Sequence, residues 1–387
     1  MIDFTSKGAP PVKTEGKDPY RVMVVDDSAV IRGLLARALE GDPEIRVVAS
    51  VGDGQMAINS LQRNAVDVIV LDVEMPVMDG LTAIPKLLAV SPSVKIIMAS
   101  TLTIRNADIS MRALEAGAAD YIPKPTTTRE IAGADVFKRE LVSKVKALGA
   151  NARRAGSRSR PDVRVQALPM PAVAGGRSRH DQLPPVLRPF TQQFRPDVIA
   201  IGSSTGGPQA LFEVLSHFKG GVTQPILITQ HMPATFTTIL AEHISRQCGI
   251  VCAEAKDGEA IVENRAYVAP GDYHMLVVNR GGASVLSLTK DPPENFCRPA
   301  VDPMLRSVVR AYGRKVLTAI LTGMGQDGMK GCQEVTAAGG VVIGQDEASS
   351  VVWGMPGAVA TAGLCSAILP LKEIGPYIRK FASRTAA

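Results

Sequence analysis

The sequence predicts an α/β protein of two doubly wound domains. Three observations carry that expectation. Short apolar runs alternate with segments whose apolar residues recur at helical spacing, once from Tyr20 to about Ala150 and again from Pro196 to about Ala382. Each run ends in a polar or Gly-rich loop, as strands of a parallel sheet do. A stretch rich in Arg, Pro, Gly and Ser separates the two regions. The expected organisation is a flexible tail over 1–19, a five-stranded doubly wound domain over 20–137, a linker over 138–195 and a mostly parallel doubly wound domain over 196–385.

In the first region the strand candidates are 21–25, 45–51, 66–71, 94–99 and 120–122, with helical patterns between them at 31–39, 56–61, 81–88 and 109–114. Pro85 falls inside the third helical pattern and predicts a kink or a shortening. In the second region three strand ends stand out: Ile201-Gly-Ser-Ser-Thr-Gly-Gly-Pro208, the segment Pro225 to Pro233 that carries His231, and Val316 to Gly328, which ends in Gly-Met-Gly-Gln-Asp-Gly.

Composition narrows the class. The chain has 387 residues, 45% hydrophobic and 21% charged, the usage of a soluble globular protein. No apolar run reaches membrane-span length and the N-terminus lacks a signal-peptide apolar region, so a cytoplasmic protein without membrane insertion is expected. Five cysteines, none in C-x-x-C, suggest reduced thiols. The net charge of +6 looks like a nucleic-acid signature, but residues 151–195 alone carry nine Arg against Asp162 and Asp181. The remainder is near −1, so the basicity belongs to the linker, and no nucleic-acid partner is expected.

Ligands of an open parallel sheet bind at the carboxyl ends of its strands. At that rim the first region places Asp26 and Asp27, then Asp72, then Ser100, and finally Lys124. Three clustered carboxylates need a cation, and an oxygen-only donor set suits Mg²⁺. A carboxylate held beside Mg²⁺ and an ammonium can accept a phosphoryl group. With VVDDS, LDVEMPVMDG and Lys124-Pro125 in their places, the region resembles the flavodoxin-like receiver domain of two-component response regulators. The resemblance implies that Asp72 is phosphorylated, that Asp26 and Asp27 join it around Mg²⁺, and that Lys124 contacts the phosphoryl group. Ser100 and Tyr121 fall where receivers carry a switch hydroxyl and a switch aromatic.

The second region allows two readings. Gly323 to Gly328 fits G-x-G-x-x-G after a strand and before a helix, with Asp346 further on, a dinucleotide-binding pattern. Against it, Asp327 sits inside the loop and only about 60 residues follow. The other reading joins three loops: Ser203 or Ser204 as nucleophile, His231 as base, and Asp327 to orient it. Glycines around both loops give backbone N–H groups room to stabilise an oxyanion.

With GSSTGG, ITQHMP, VAPGD, RPAVD, LTGMGQDG and GMP behind a receiver, the chain resembles the chemotaxis protein-glutamate methylesterases. That resemblance implies demethylation of glutamyl methyl esters, and deamidation of certain glutamines, on chemoreceptors. It implies Ser204 as nucleophile in the S-T-G-G register, with Ser203 in the slot of a small residue. It also implies His231 as general base, Asp327 as its partner, Met324 at the oxyanion site through its N–H, and Thr205 in support of the histidine. The hydrolytic site would need no cofactor. The phosphodonor would be the chemotaxis histidine kinase, and the unphosphorylated receiver would pack over the cleft. His274 is a weaker site candidate; His180, His217 and His243 read as ordinary.

Overall fold

The computed structural model describes residues 18–101, 103–124, 134–158, 186–189 and 194–383. The expected tail up to residue 17, Pro125, and most of the expected linker, with His180, lie outside these.

The first domain is a five-stranded parallel sheet in the order β2-β1-β3-β4-β5. Its elements are β1 (Tyr20–Val25), α1 (Ala29–Glu40), β2 (Ile45–Val51), α2 (Gly54–Leu61), β3 (Val68–Asp72), α3 (Gly80–Val90), β4 (Lys95–Ser100), α4 (Ile104–Glu115), β5 (Asp120–Pro123) and α5 (Ala134–Arg158). The central strand β3 is buried throughout, as a strand covered on both faces must be. Side-chain caps start the helices: Ser28, Asp53, Asp79 and Thr103 each accept an N–H three residues on.

Two expectations change here. α3 runs unbroken through Pro85, so the proline neither ends nor shortens it. The segment expected as linker from 138 begins as helix α5. Leu141, Val145 and Leu148 of that helix are buried in the receiver core with Val22, Val24 and Leu35. Arg153, counted above as linker charge, joins Arg21 on the carboxylate of Asp67, at 2.9 and 2.7 Å. The Arg-rich composition hid a helix whose apolar residues recur every three to four positions.

The second domain is a seven-stranded parallel sheet in the order β14-β13-β12-β6-β7-β9-β8. In chain order it is built from β6 (Val198–Ser203), α6 (Gly207–Ser216), β7 (Ile226–Gln230), α7 (Phe236–Cys248), β8 (Val251–Glu254), β9 (Arg265–Val268), β10 (His274–Arg280), β11 (Ala283–Thr289), α8 (Val301–Tyr312), β12 (Val316–Ile320), α9 (Met329–Ala337), β13 (Val341–Gln345), α10 (Met355–Thr361), β14 (Ala367–Leu369) and α11 (Leu371–Ala382). β10 and β11 form a separate antiparallel hairpin. Strand order reverses between β6 and its neighbours β12 and β7, which makes the carboxyl ends of these three strands the topological switch point.

The receiver packs on this domain through α4 and the end of β5. Tyr121 stacks on Phe236 with ring centroids 4.5 Å apart and planes 13° from parallel. His243 of α7 bonds Glu115 and Asp108 of α4 through its two ring nitrogens, at 2.8 and 2.9 Å. Gln209 donates to the carbonyl of Ala118 at 2.5 Å. Arg139 of α5 lies over the ring of Phe296, 5.8 Å from its centroid. His243, read from sequence as ordinary, is a receiver contact.

Candidate active site

Two sites stand at strand ends, one in each domain. In the receiver, Asp26, Asp27 and Asp72 present carboxylate oxygens that all lie within 4.8 Å of one another. Lys124 Nζ sits 2.5 Å from Asp26 and 2.6 Å from Asp72. Burial pushes the Asp72 carboxyl up, Lys124 pulls it back, and the charge of Asp26 adds to the rise. Lys124 thus pairs with two of the three carboxylates, and the all-oxygen set keeps a net negative charge that fits a hard divalent cation. A side chain at Gly80 would run into the carbonyl of Asp72, so only glycine lets α3 start this close to the pocket. Ser100 bonds Ser110 of α4 at 3.1 Å.

In the second domain the two neighbouring serines have different surroundings. Ser203 is fully buried and donates to Gln230 Oε1 at 2.7 Å. Gln230 in turn donates to the carbonyls of Ser204 and His231. Ser203 therefore pins the loop, and Gln230 braces both neighbours. Ser204 is half-buried at the turn, and its hydroxyl makes no hydrogen bond among the described residues. Gly206 takes φ of +74°, and a side chain there would strike Val351. A side chain at Gly323 would meet Ser204 Cβ and Met355 Sδ, so glycine lets the two loops touch. The N–H groups of Thr205 and Met324 make no hydrogen bond among the described residues, leaving donors at that contact.

His231 Nε2 bonds Asp327 Oδ2 at 2.8 Å. Asp327 is buried and heavily bonded: it accepts the N–H groups of Val301 at 2.6 Å, Asp302 at 3.1 Å and Gly328 at 3.0 Å, and the amide of Asn295 at 2.9 Å. The carboxylate thus caps α8 rather than the helix that follows it. Burial works upward on Asp327, but the bond and charge of His231 and these N–H donors outweigh it and hold the carboxyl below its usual range. The same bonding removes the dinucleotide reading, because a pyrophosphate at Gly323–Gly328 would meet a fixed carboxylate.

The other ring nitrogen of His231 faces Cys297 Sγ at 3.3 Å. No hydrogen bond joins His231 to Ser204 among the described residues. Burial disfavours charge on His231, yet Cys297 and the bond to Asp327 prevail and push it up to about 10. A ring nitrogen engaged with Cys297 is not free to take a proton from Ser204, so this is a resting arrangement. The Thr205 carbonyl accepts a hydrogen bond from Thr322 Oγ1 at 2.9 Å. His274 is structural: its ring accepts the Ala300 N–H and donates to the Pro292 carbonyl.

Residues 199–378 match the family described as CheB methylesterase, and residues 22–134 match the response regulator receiver domain. A relative from Azospirillum brasilense, named protein-glutamate methylesterase/protein-glutamine glutaminase, is 75% identical over 382 residues, covering 97% of this chain and 96% of its own.

The chain belongs to the protein-glutamate methylesterase/protein-glutamine glutaminase family.

A second methylesterase/glutaminase, from Rhodospirillum centenum, is 70% identical over 384 residues and 96% of each chain. The solved catalytic domain of the Thermotoga maritima methylesterase is 37% identical, with a TM-score of 0.47, and covers 48% of this chain and 98% of its own.

Asn295, Cys297, Asp302 and Gln230 are site residues that sequence reasoning missed. Gln230 and Asp302 lay inside quoted motifs, ITQHMP and RPAVD, without a role. Asn295 and Cys297 carried no signal, because the turn that aims them lies about 65 residues from His231 and more than 30 from Asp327.

Proposed function

We propose that this protein hydrolyses glutamyl methyl esters, and deamidates specific glutamines, on chemoreceptors, under control of phosphorylation at Asp72. One observation carries the chemistry: a free hydroxyl, a histidine and a buried carboxylate converge on the switch point of one parallel sheet. Ser204 is the nucleophile. With His231 neutral, Nδ1 takes the Ser204 proton as Oγ attacks the ester carbonyl carbon. Asp327 holds Nε2–H and offsets the charge that develops on the ring. The N–H groups of Thr205 and Met324 donate to the oxyanion. His231 then returns the proton to the departing oxygen, releasing methanol, or to nitrogen, releasing ammonia from an amide. Water attacks the acyl-enzyme by the same route and frees the glutamate carboxylate.

Asp26, Asp27 and Asp72 would hold Mg²⁺, which offsets charge on the phosphoryl oxygens. Asp72 accepts the phosphoryl group from the chemotaxis histidine kinase, and Lys124 pairs with it. A phosphoryl group here offers Ser100 a new acceptor. Ser100 then leaves Ser110 on α4, the helix that holds His243, so the regulatory and hydrolytic domains share one moving element. A cytoplasmic location fits these partners, and no helix among the described residues is long and apolar enough to cross a membrane. The test is methanol release from methylated receptor with and without a small phosphodonor and Mg²⁺. Release that the phosphodonor raises in the parent, and that Ser204→Ala abolishes, supports the reading. Release that survives Ser204→Ala and is lost in Ser203→Ala rules it out.

A further inference from the structure

Residues 294–297 form a tight turn closed by two backbone bonds, Glu294 N–H to the Cys297 carbonyl at 3.1 Å and Cys297 N–H to the Glu294 carbonyl at 2.9 Å. Both central residues take positive φ, 51° at Asn295 and 64° at Phe296, which makes the turn a stiff two-residue hairpin. Glu294 is anchored by a two-pronged ion pair with Arg306 of α8. The turn aims two side chains at the catalytic histidine and its partner. Asn295 bonds both Asp302 at 3.0 Å and Asp327 at 2.9 Å, holding two buried carboxylates in place. Cys297 meets His231 Nδ1, the nitrogen that acylation requires.

We propose that Cys297 is a positioning residue for the hydrolysis: its thiol occupies His231 Nδ1 in the resting enzyme, and Ser204 gains its base only when that contact breaks. This rests on the assignment of His231 as the base for Ser204. The physical argument is competition. Asp327 takes Nε2–H, so one nitrogen remains for proton transfer, and the thiol holds it. Among the described residues, the titratable side chains bonded to the ring are Asp327 and Cys297, and Asp302 joins them through Asn295. Cys297 beside the imidazole raises the ring's hold on its proton, and removing the side chain frees the base at lower pH. The turn also reaches the receiver, because Phe296 at its tip lies under Arg139.

The experiment uses the full-length chain, unphosphorylated, and reads kcat/KM for methanol release against pH. Cys297→Ala is expected to raise kcat/KM at neutral pH by about tenfold, the scale of one lost charge-assisted hydrogen bond, and to move the acidic limb to lower pH. Cys297→Ser, which offers a neutral hydroxyl, is expected to show the same downward movement of the limb. If kcat/KM and the limb stay where they are in both variants while Ser204→Ala is inactive, the role of Cys297 is wrong and the triad stands. If Ser204→Ala stays active, the triad itself fails. A second readout needs no Cys297 variant. Cys297 alone among the five cysteines is not buried, so brief iodoacetamide treatment reports on it by peptide mapping. His231→Gln is expected to slow that alkylation at neutral pH by about tenfold, because the sulfur loses the imidazole that contacts it. An unchanged rate overturns the pairing.

Discussion

The two strand-end sites are built in opposite ways. The receiver pocket gathers like charges, three carboxylates within 4.8 Å with one lysine among them. It stores repulsion and is completed from outside, by a cation and a phosphoryl group. The hydrolytic cleft gathers complementary groups. Asp327, His231, Cys297, Asn295 and the amides of α8 satisfy one another, and the cleft is held shut by its own bonds. One site waits for a ligand and the other waits for a bond to break. A switch of this kind can let the first event trigger the second, because α4 bonds Ser100 on the receiver side and His243 on the hydrolytic domain.

The sharpest way to break this comparison is to remove the nucleophile. Ser204→Ala should cut methanol release by about a thousandfold or more. Ser203→Ala should keep turnover and lose about 1 kcal/mol of stability in denaturant titration, the value of its bond to Gln230. Asp327→Asn should follow at about a hundredfold or more in kcat. It should also lower the melting temperature, since α8 loses its cap; an unshifted melting temperature would mean the carboxylate is only a proton partner.

On the receiver side, Asp72→Asn and Lys124→Ala should abolish stimulation by a phosphodonor and leave the basal rate in place. Stimulation that survives Asp72→Asn would move the phosphorylation site. The interface comes next. Phe236→Ala should raise the unstimulated rate about 2- to 10-fold, as befits an aromatic stack of about 0.5–1.5 kcal/mol. A basal rate that does not move would show that the docked receiver is not what restrains the cleft.

The smallest effect sits far from both sites. Arg21 and Arg153 outweigh burial and hold the Asp67 carboxyl below its usual range. The stability it contributes is complete above about pH 4, where the unfolded carboxyl titrates, and is lost as pH falls through the lower folded value. Asp67→Asn should therefore destabilise the receiver at neutral pH by about 1 kcal/mol, and the difference should vanish in strong acid. A constant difference across pH would assign the loss to packing instead.

How legible each site is from sequence follows from the same contrast. Asp26, Asp27, Asp72, Ser100 and Lys124 lie at or just past strand ends, and strand order alone brings them together. Ser204, His231 and Asp327 likewise lie just past the ends of parallel strands, where the sequence put them. The segment from 138 was misread because Arg and Ser composition masked the spacing of Leu141, Val145 and Leu148. Pro85 misled because packing of Ala83, Ile84 and Leu87 against the core outweighs one missing helix bond.

The amino-acid order by itself determined the two parallel sheets and which loops carry the chemistry, since hydrophobic period and strand-end residues are local properties. Tertiary structure alone decided which serine is free, which helix Asp327 caps, that His243 clasps the receiver, and that Cys297 meets His231. Those are contacts between residues 26 to 135 positions apart, set by loop conformation and packing. No local pattern encodes which of several polar groups will find its partner once the chain has closed.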